Sequence, residues 1–297
     1  MISIDNKLTI SYEYCKNMSK IHAKTFYFAS RFLPPEKKNA CYAIYAFCRY
    51  IDDLVDKNLM RSLSSEESFE KISEAVNEWR QHLQALYNGE IIDHPIMIAL
   101  KDTISRFDIP ENLPNELIDG VNMDMSKTRY ENFEDLKVYC YKVASVVGLM
   151  TTYVFGFKDD RTFNYAVDLG IAMQMTNILR DVKEDAMGGR IYIPNEDMKL
   201  FDYSEEDLMK NTMNKNFREL MEYQISRAVK YYDTAEEGIR MLDRDSRITV
   251  GLMSRNYRKI LHIIRENDFN VFGKRTYVPV HRKLADVPKV MLEFGRA

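Results

Sequence analysis

Two stretches about 130 residues apart place aspartates at the same helical spacing. In the first, Tyr45, Arg49, Asp52 and Asp56 recur at i, i+4, i+7 and i+11, beside an apolar stripe of Ile44, Cys48, Ile51 and Val55. In the second, Gly170, Gln174, Asn177, Asp181 and Asp185 form one stripe, and Ile171, Met175, Ile178 and Val182 form its apolar neighbour. A 3.6-residue period puts each set on one face. The apolar stripes account for packing; the acidic stripes are not required by it. Taken singly, each reads equally well as a solvated helix end or a charged surface. Taken together, they suggest two acidic helix faces turned toward a common cavity.

Few residues interrupt such helices. Only 11 Gly and 8 Pro occur in 297 residues, and the breaks fall at Pro34-Pro35, Asn88-Gly89, Pro110 to Pro114, Gly156, Gly188-Gly189 and Pro194. The periodicity predicts helices near 11–30, 36–57, 66–88, 94–106, 113–126, 133–155, 160–185, 204–213, 216–243, 246–266 and 284–294. One β-like piece runs from Arg275 to Val280. No linker divides the chain, so residues 1–297 are expected to form one all-α domain.

A formal net charge of −3 offers no general nucleic-acid surface. The four cysteines, at 15, 41, 48 and 140, form no C-x-x-C pair and read as reduced thiols of a cytoplasmic protein. The start of the chain lacks the layout of a secretory signal. The longest uncharged apolar run, Val143 to Phe157, is 15 residues, short of the ~20 that span a bilayer. A transient contact with a membrane surface stays open; oligomeric state is not legible.

Aspartate pairs facing each other at low dielectric repel unless solvated, protonated or paired with cations. Mg²⁺ meets that need, because it takes few carboxylates and shares its shell with substrate phosphates. Arg49, Arg180 and Arg190 lie near the motifs and can clamp phosphate oxygens or pair with neighbouring acids.

At these residues the chain resembles the squalene/phytoene synthase family. The likeness rests on His22–Phe26, Asp52–Asp56, Tyr139–Gly148, Leu169–Asp185 and Gly189–Pro194. It implies an isoprenoid-synthase bundle around a central cavity. It implies a prenyltransferase that couples two identical allylic diphosphates C1 to C1′ through a cyclopropylcarbinyl diphosphate. By resemblance, Asp52, Asp56, Asp181 and Asp185, with Asn177, hold two or three Mg²⁺. Tyr45, Tyr139 and Gln174 lie near the reacting carbons. Thr25, Arg49, Tyr257 and Arg275 reach the diphosphate, with Arg180 and Arg190 as further clamps. Phe26, Phe47, Tyr141 and methionines are candidates to line a dry pocket that protects a carbocation. Ala23 stands where some relatives carry a serine.

No Gly-rich nucleotide loop and no C-terminal membrane helix is present, so NADPH is not expected. The resemblance leaves two unreduced products: dehydrosqualene from farnesyl diphosphate, slightly preferred, and phytoene from geranylgeranyl diphosphate. Reduced squalene and a prenyl alcohol released by a phosphatase are further alternatives. Ser30 and Tyr42 are expected at the deep end of the cavity, where a small Ser leaves room for a C20 chain.

Overall fold

The computed structural model describes the backbone of residues 4–61 and 66–295 and the side chains of residues 6–55 and 70–295. Helices follow the apolar periodicity from end to end. In order they are α1 (Ile4–His22), α2 (Lys24–Ala29), α3 (Pro35–Arg61), α4 (Glu66–Tyr87), α5 (Pro95–Phe107), α6 (Asn112–Ser126), α7 (Phe133–Cys140), α8 (Val146–Phe155), α9 (Arg161–Met187), α10 (Asn195–Leu200), α11 (Glu205–Met209), α12 (Lys215–Ile239), α13 (Arg244–Glu266) and α14 (Val280–Phe294).

Local chemistry sets many of the ends. Pro95 opens α5 behind His94, whose side chain accepts from the Ile96 amide. Asn132 and Asn214 cap α7 and α12 in the same way, and Ser204 with Asp207 forms a capping box on α11. Gly156 stops α8 at φ +75°; a Cβ there would fall 2.0 Å from Asp243 Oδ2.

Two expectations are revised. The predicted 11–30 helix is α1 and α2, split at Ala23, and the short α10 was not anticipated. Arg275 to Val280 is not a strand: it is irregular up to Pro279 and begins α14 at Val280. Among the described residues the only β-type pairings are isolated bridges.

One apolar cluster gathers α1–α6, α8 and α14; a second gathers α7 and α9–α11; α12 and α13 contribute to both. Val167 and Leu169 of α9 pack against both. Tyr42, Phe47 and Tyr232 are among the largest side chains sealed inside. The run from Phe133 to Phe155 is apolar enough to pass as a membrane span, but half of it is buried. Its middle, Tyr141–Ser145, is a π-helical turn between α7 and α8. That turn packs on α9 at Gly170, where a Cβ would meet Ser145 Cα at 2.4 Å. The four cysteines are free thiols.

Candidate active site

The acidic stripes of α3 and α9 line one cavity of about 1440 Å³. This exceeds the ~300–1,000 Å³ of ordinary small-molecule pockets. Tyr45, Arg49 and Asp52 enter from α3; Gly170, Gln174, Asn177, Asp181 and Asp185 enter from α9. The α9 wall runs from Thr162 to Asp185, roughly 35 Å of helix at 1.5 Å per residue. Polar groups gather at one end of it. Toward the other, the lining includes Val147, Ala166, Leu169, Met173 and Ile239. Asp56 lies on α3, but its side chain is outside the described residues.

Ion pairs hold the polar end. Arg180 Nε donates to Asp181 Oδ1 at 2.8 Å, and Arg275 donates to both oxygens of the same carboxylate. Burial pushes the Asp181 carboxyl up, but these two guanidinium groups outweigh it and hold the acid below its usual range. Asp185 behaves oppositely. Burial and the Asp181 charge push its carboxyl up to about 8, with Arg190 opposing. Arg49 pairs with Asp52 at 3.4 Å and with Asp53. Asn177 donates to Gln174 Oε1 at 3.2 Å.

The strained ionisation of Asp185 marks a place short of positive charge. Asp181 stands near it, and Asp52 and Asn177 line the same cavity; all offer oxygen. This chemistry fits Mg²⁺. Among the described residues, no three acidic, His or Cys side chains converge closely enough to hold a cation alone.

The aromatic positions divide. Phe26 stacks on Tyr45 with ring centroids 5.7 Å apart, and both line the cavity, as does Tyr257. Burial pushes the Tyr45 hydroxyl up, so it stays protonated. Phe47 does not line the cavity; it is sealed against Trp79. Tyr141 is also off the wall. Ser30 and Tyr42 are not at the deep end: Ser30 Oγ bonds Tyr42 Oη at 2.9 Å inside the core, and neither faces the cavity. Thr25 stands behind the wall formed by Ala23 and Phe26, where Lys283 of α14 donates to its hydroxyl at 2.7 Å.

The sequence reading missed one group. Asp124 of α6, 7% exposed, lines the cavity and accepts from Tyr139 and Tyr192. Backbone pairing delivers Tyr192 to it: Ile191 N donates to Thr128 O and Asn195 N to Tyr130 O. The signal available was an acid on the apolar side of a helix, one turn before the Thr128–Tyr130 segment.

A family model for squalene/phytoene synthase matches residues 19–282. The chain belongs to the squalene/phytoene synthase family. It is a prenyltransferase of that type, in a family that uses prenyl diphosphates. It is 40% identical to a phytoene synthase of Arthrospira platensis over 295 residues, covering 95% of this chain and 93% of that one. It is 39% identical to a 15-cis-phytoene synthase of Synechococcus elongatus, over 96% of this chain and 94% of that one. Among solved structures, a dehydrosqualene synthase bound to a ligand superposes with a TM-score of 0.88 at 28% identity, covering 98% and 99% of the two chains. The all-α isoprenoid-synthase bundle around a cavity is therefore present as expected.

Proposed function

We propose that this enzyme joins two molecules of geranylgeranyl diphosphate, C1 to C1′, into 15-cis-phytoene and two diphosphates. The observation that carries this reading is the identity to phytoene synthases, about 40% along nearly the whole chain. It reverses the slight preference for a C15 substrate. Farnesyl diphosphate and dehydrosqualene remain the second reading, favoured by the structural likeness at 28% identity.

In this reading Asp52, Asp56, Asp181, Asp185 and Asn177 hold Mg²⁺. When bound, the metal neutralises the diphosphate and makes it a good leaving group. Arg49, Arg180, Arg190 and Arg275 orient its oxygens as the allylic C1–O bond breaks. The C2=C3 bond of the second substrate attacks the cation. Loss of a proton closes a cyclopropane; ionisation of that second diphosphate then rearranges the skeleton, and loss of a second proton from the resulting cation gives the linear triene-core product. The apolar wall keeps water from the cations, while Tyr45, Tyr257 and Gln174 present ring faces and an amide dipole to them. NADPH has no part in the scheme. The C40 product is insoluble, so we include a transient membrane contact through exposed Tyr277, Val280 and Leu284, beside Arg282 and Lys283.

Incubation of the protein with Mg²⁺ and each diphosphate, with and without NADPH, tests the reading. A C40 triene-core hydrocarbon without NADPH is expected. A C30 product from farnesyl diphosphate alone would restore the second reading, and a prenyl alcohol as sole product would overturn both.

A further inference from the structure

Asp124 has no role in the scheme above, yet its placement is costly. A carboxylate this deeply buried loses most of its hydration; Arg190 Nη1 stands 3.9 Å from its Oδ2. Two phenols replace the water. Tyr139 Oη donates to Oδ2 at 2.8 Å and Tyr192 Oη to Oδ1 at 2.7 Å, and the two rings stack 5.1 Å apart. All three side chains line the cavity.

This geometry fixes what Tyr139 offers to a substrate. A phenol has one hydrogen. With that hydrogen given to Asp124, the oxygen of Tyr139 meets the cavity as an acceptor. Behind it lies an anion within hydrogen-bond reach, the arrangement of a base acting through a relay.

Ring closure in the proposed reaction needs such an acceptor. After the first C1′–C2 bond forms, positive charge sits at C3. The cyclopropane closes when the electron pair of a C1′–H bond becomes the C1′–C3 bond. We propose that Asp124 is a positioning residue that receives this proton through Tyr139. The C1′ proton passes to Tyr139 Oη as the phenol's own proton moves across 2.8 Å to Asp124 Oδ2. One cation and one carboxylate become a neutral ring and a carboxylic acid, which then yields its proton to the departed diphosphate. The inference rests on the coupling reaction argued above.

The test uses the full-length enzyme with Mg²⁺ and whichever prenyl diphosphate the wild type couples, unlabelled and deuterated at C1. Asp124→Asn and Tyr139→Phe are each expected to slow cyclopropane formation by about 10²–10⁴-fold. Each is also expected to raise the primary isotope effect on that step well above the wild-type value. The double variant should be no slower than the slower single variant, because the two act as one unit. Mg²⁺ affinity of the substrate-free protein and the melting temperature are measured alongside. An unchanged isotope effect in both variants would overturn the proposal, leaving diphosphate as the direct acceptor. So would Asp124→Asn turnover restored by excess Mg²⁺, which would make Asp124 a metal ligand. A wild type that couples neither diphosphate would instead bring down the reaction itself.

Discussion

Arg275 grips Asp181 with two parallel hydrogen bonds, Nε to Oδ1 at 2.8 Å and Nη2 to Oδ2 at 2.7 Å. The guanidinium is 54% exposed while the carboxylate is 13% exposed, so the irregular segment before α14 covers the acidic end of α9. A cation that binds Asp181 must share it with Arg275 or displace it. Removing Arg275 therefore has two opposed consequences. Arg275→Ala is expected to tighten Mg²⁺ binding to the substrate-free protein several-fold and to raise KM for the diphosphate about tenfold. Calorimetric titration and initial rates check both; weaker Mg²⁺ binding in the variant would contradict the first.

Asp185 makes the metal-free protein sensitive to pH. Its carboxyl is raised from 3.8 to about 8 by burial and by Asp181. The folded state favours the protonated acid, so this contribution to stability is complete below about pH 4 and is lost as pH rises through about 8. The melting temperature of the wild type should fall from pH 6 to pH 9 more steeply than that of Asp185→Asn. Mg²⁺ affinity should rise over the same range, by up to tenfold per pH unit, because the metal displaces a proton. Parallel melting curves for the two proteins would count against the raised ionisation.

Asp52 and Asp181 stand on opposite walls and serve one leaving group in the proposed scheme. Asp52→Asn and Asp181→Asn should each reduce kcat/KM by roughly 100-fold or more while leaving the helical circular dichroism unchanged. Product assays by mass spectrometry follow the loss. Near-normal turnover in either variant would remove that residue from the metal site.

Gly170 bears on packing rather than chemistry. A methyl group there meets Ser145 N at 2.6 Å and its Cα at 2.4 Å, backbone that cannot rotate aside. Gly170→Ala should cost about 1–3 kcal/mol by overpacking and depress the melting temperature by several degrees. Thermal unfolding reads the effect directly.

The membrane contact is tested on α14. Leu284→Asp and Val280→Asp replace exposed apolar groups with anions beside Arg282 and Lys283. Co-sedimentation with anionic phospholipid vesicles should fall several-fold in both variants, with turnover of soluble substrate retained. Equal sedimentation of wild type and variants would remove this face from the proposal.

The helices were legible because their cause is local. Apolar residues recurring every three to four positions mark α3, α9 and α12 from neighbours in sequence alone, and Gly156 and Pro34-Pro35 mark their own breaks. The acidic stripes were legible for the same reason: Asp181 and Asp185 share a face whatever lies opposite. Which side chains reach the cavity was a different matter. Phe47 and Tyr42 are aromatic like Phe26 and Tyr45, yet Phe47 turns against Trp79 of α4 and Tyr42 packs against Phe26 and Tyr27 of α2. Asp124 gave little warning, since its partners arrive from α7 and from the Gly189–Pro194 segment. Sequence determined the helices, the faces of α3 and α9 and the family. The tertiary structure decided that Asp181 meets Arg275 and that Asp124 meets Tyr139 and Tyr192. Those contacts depend on how distant helices pack, which no local period encodes.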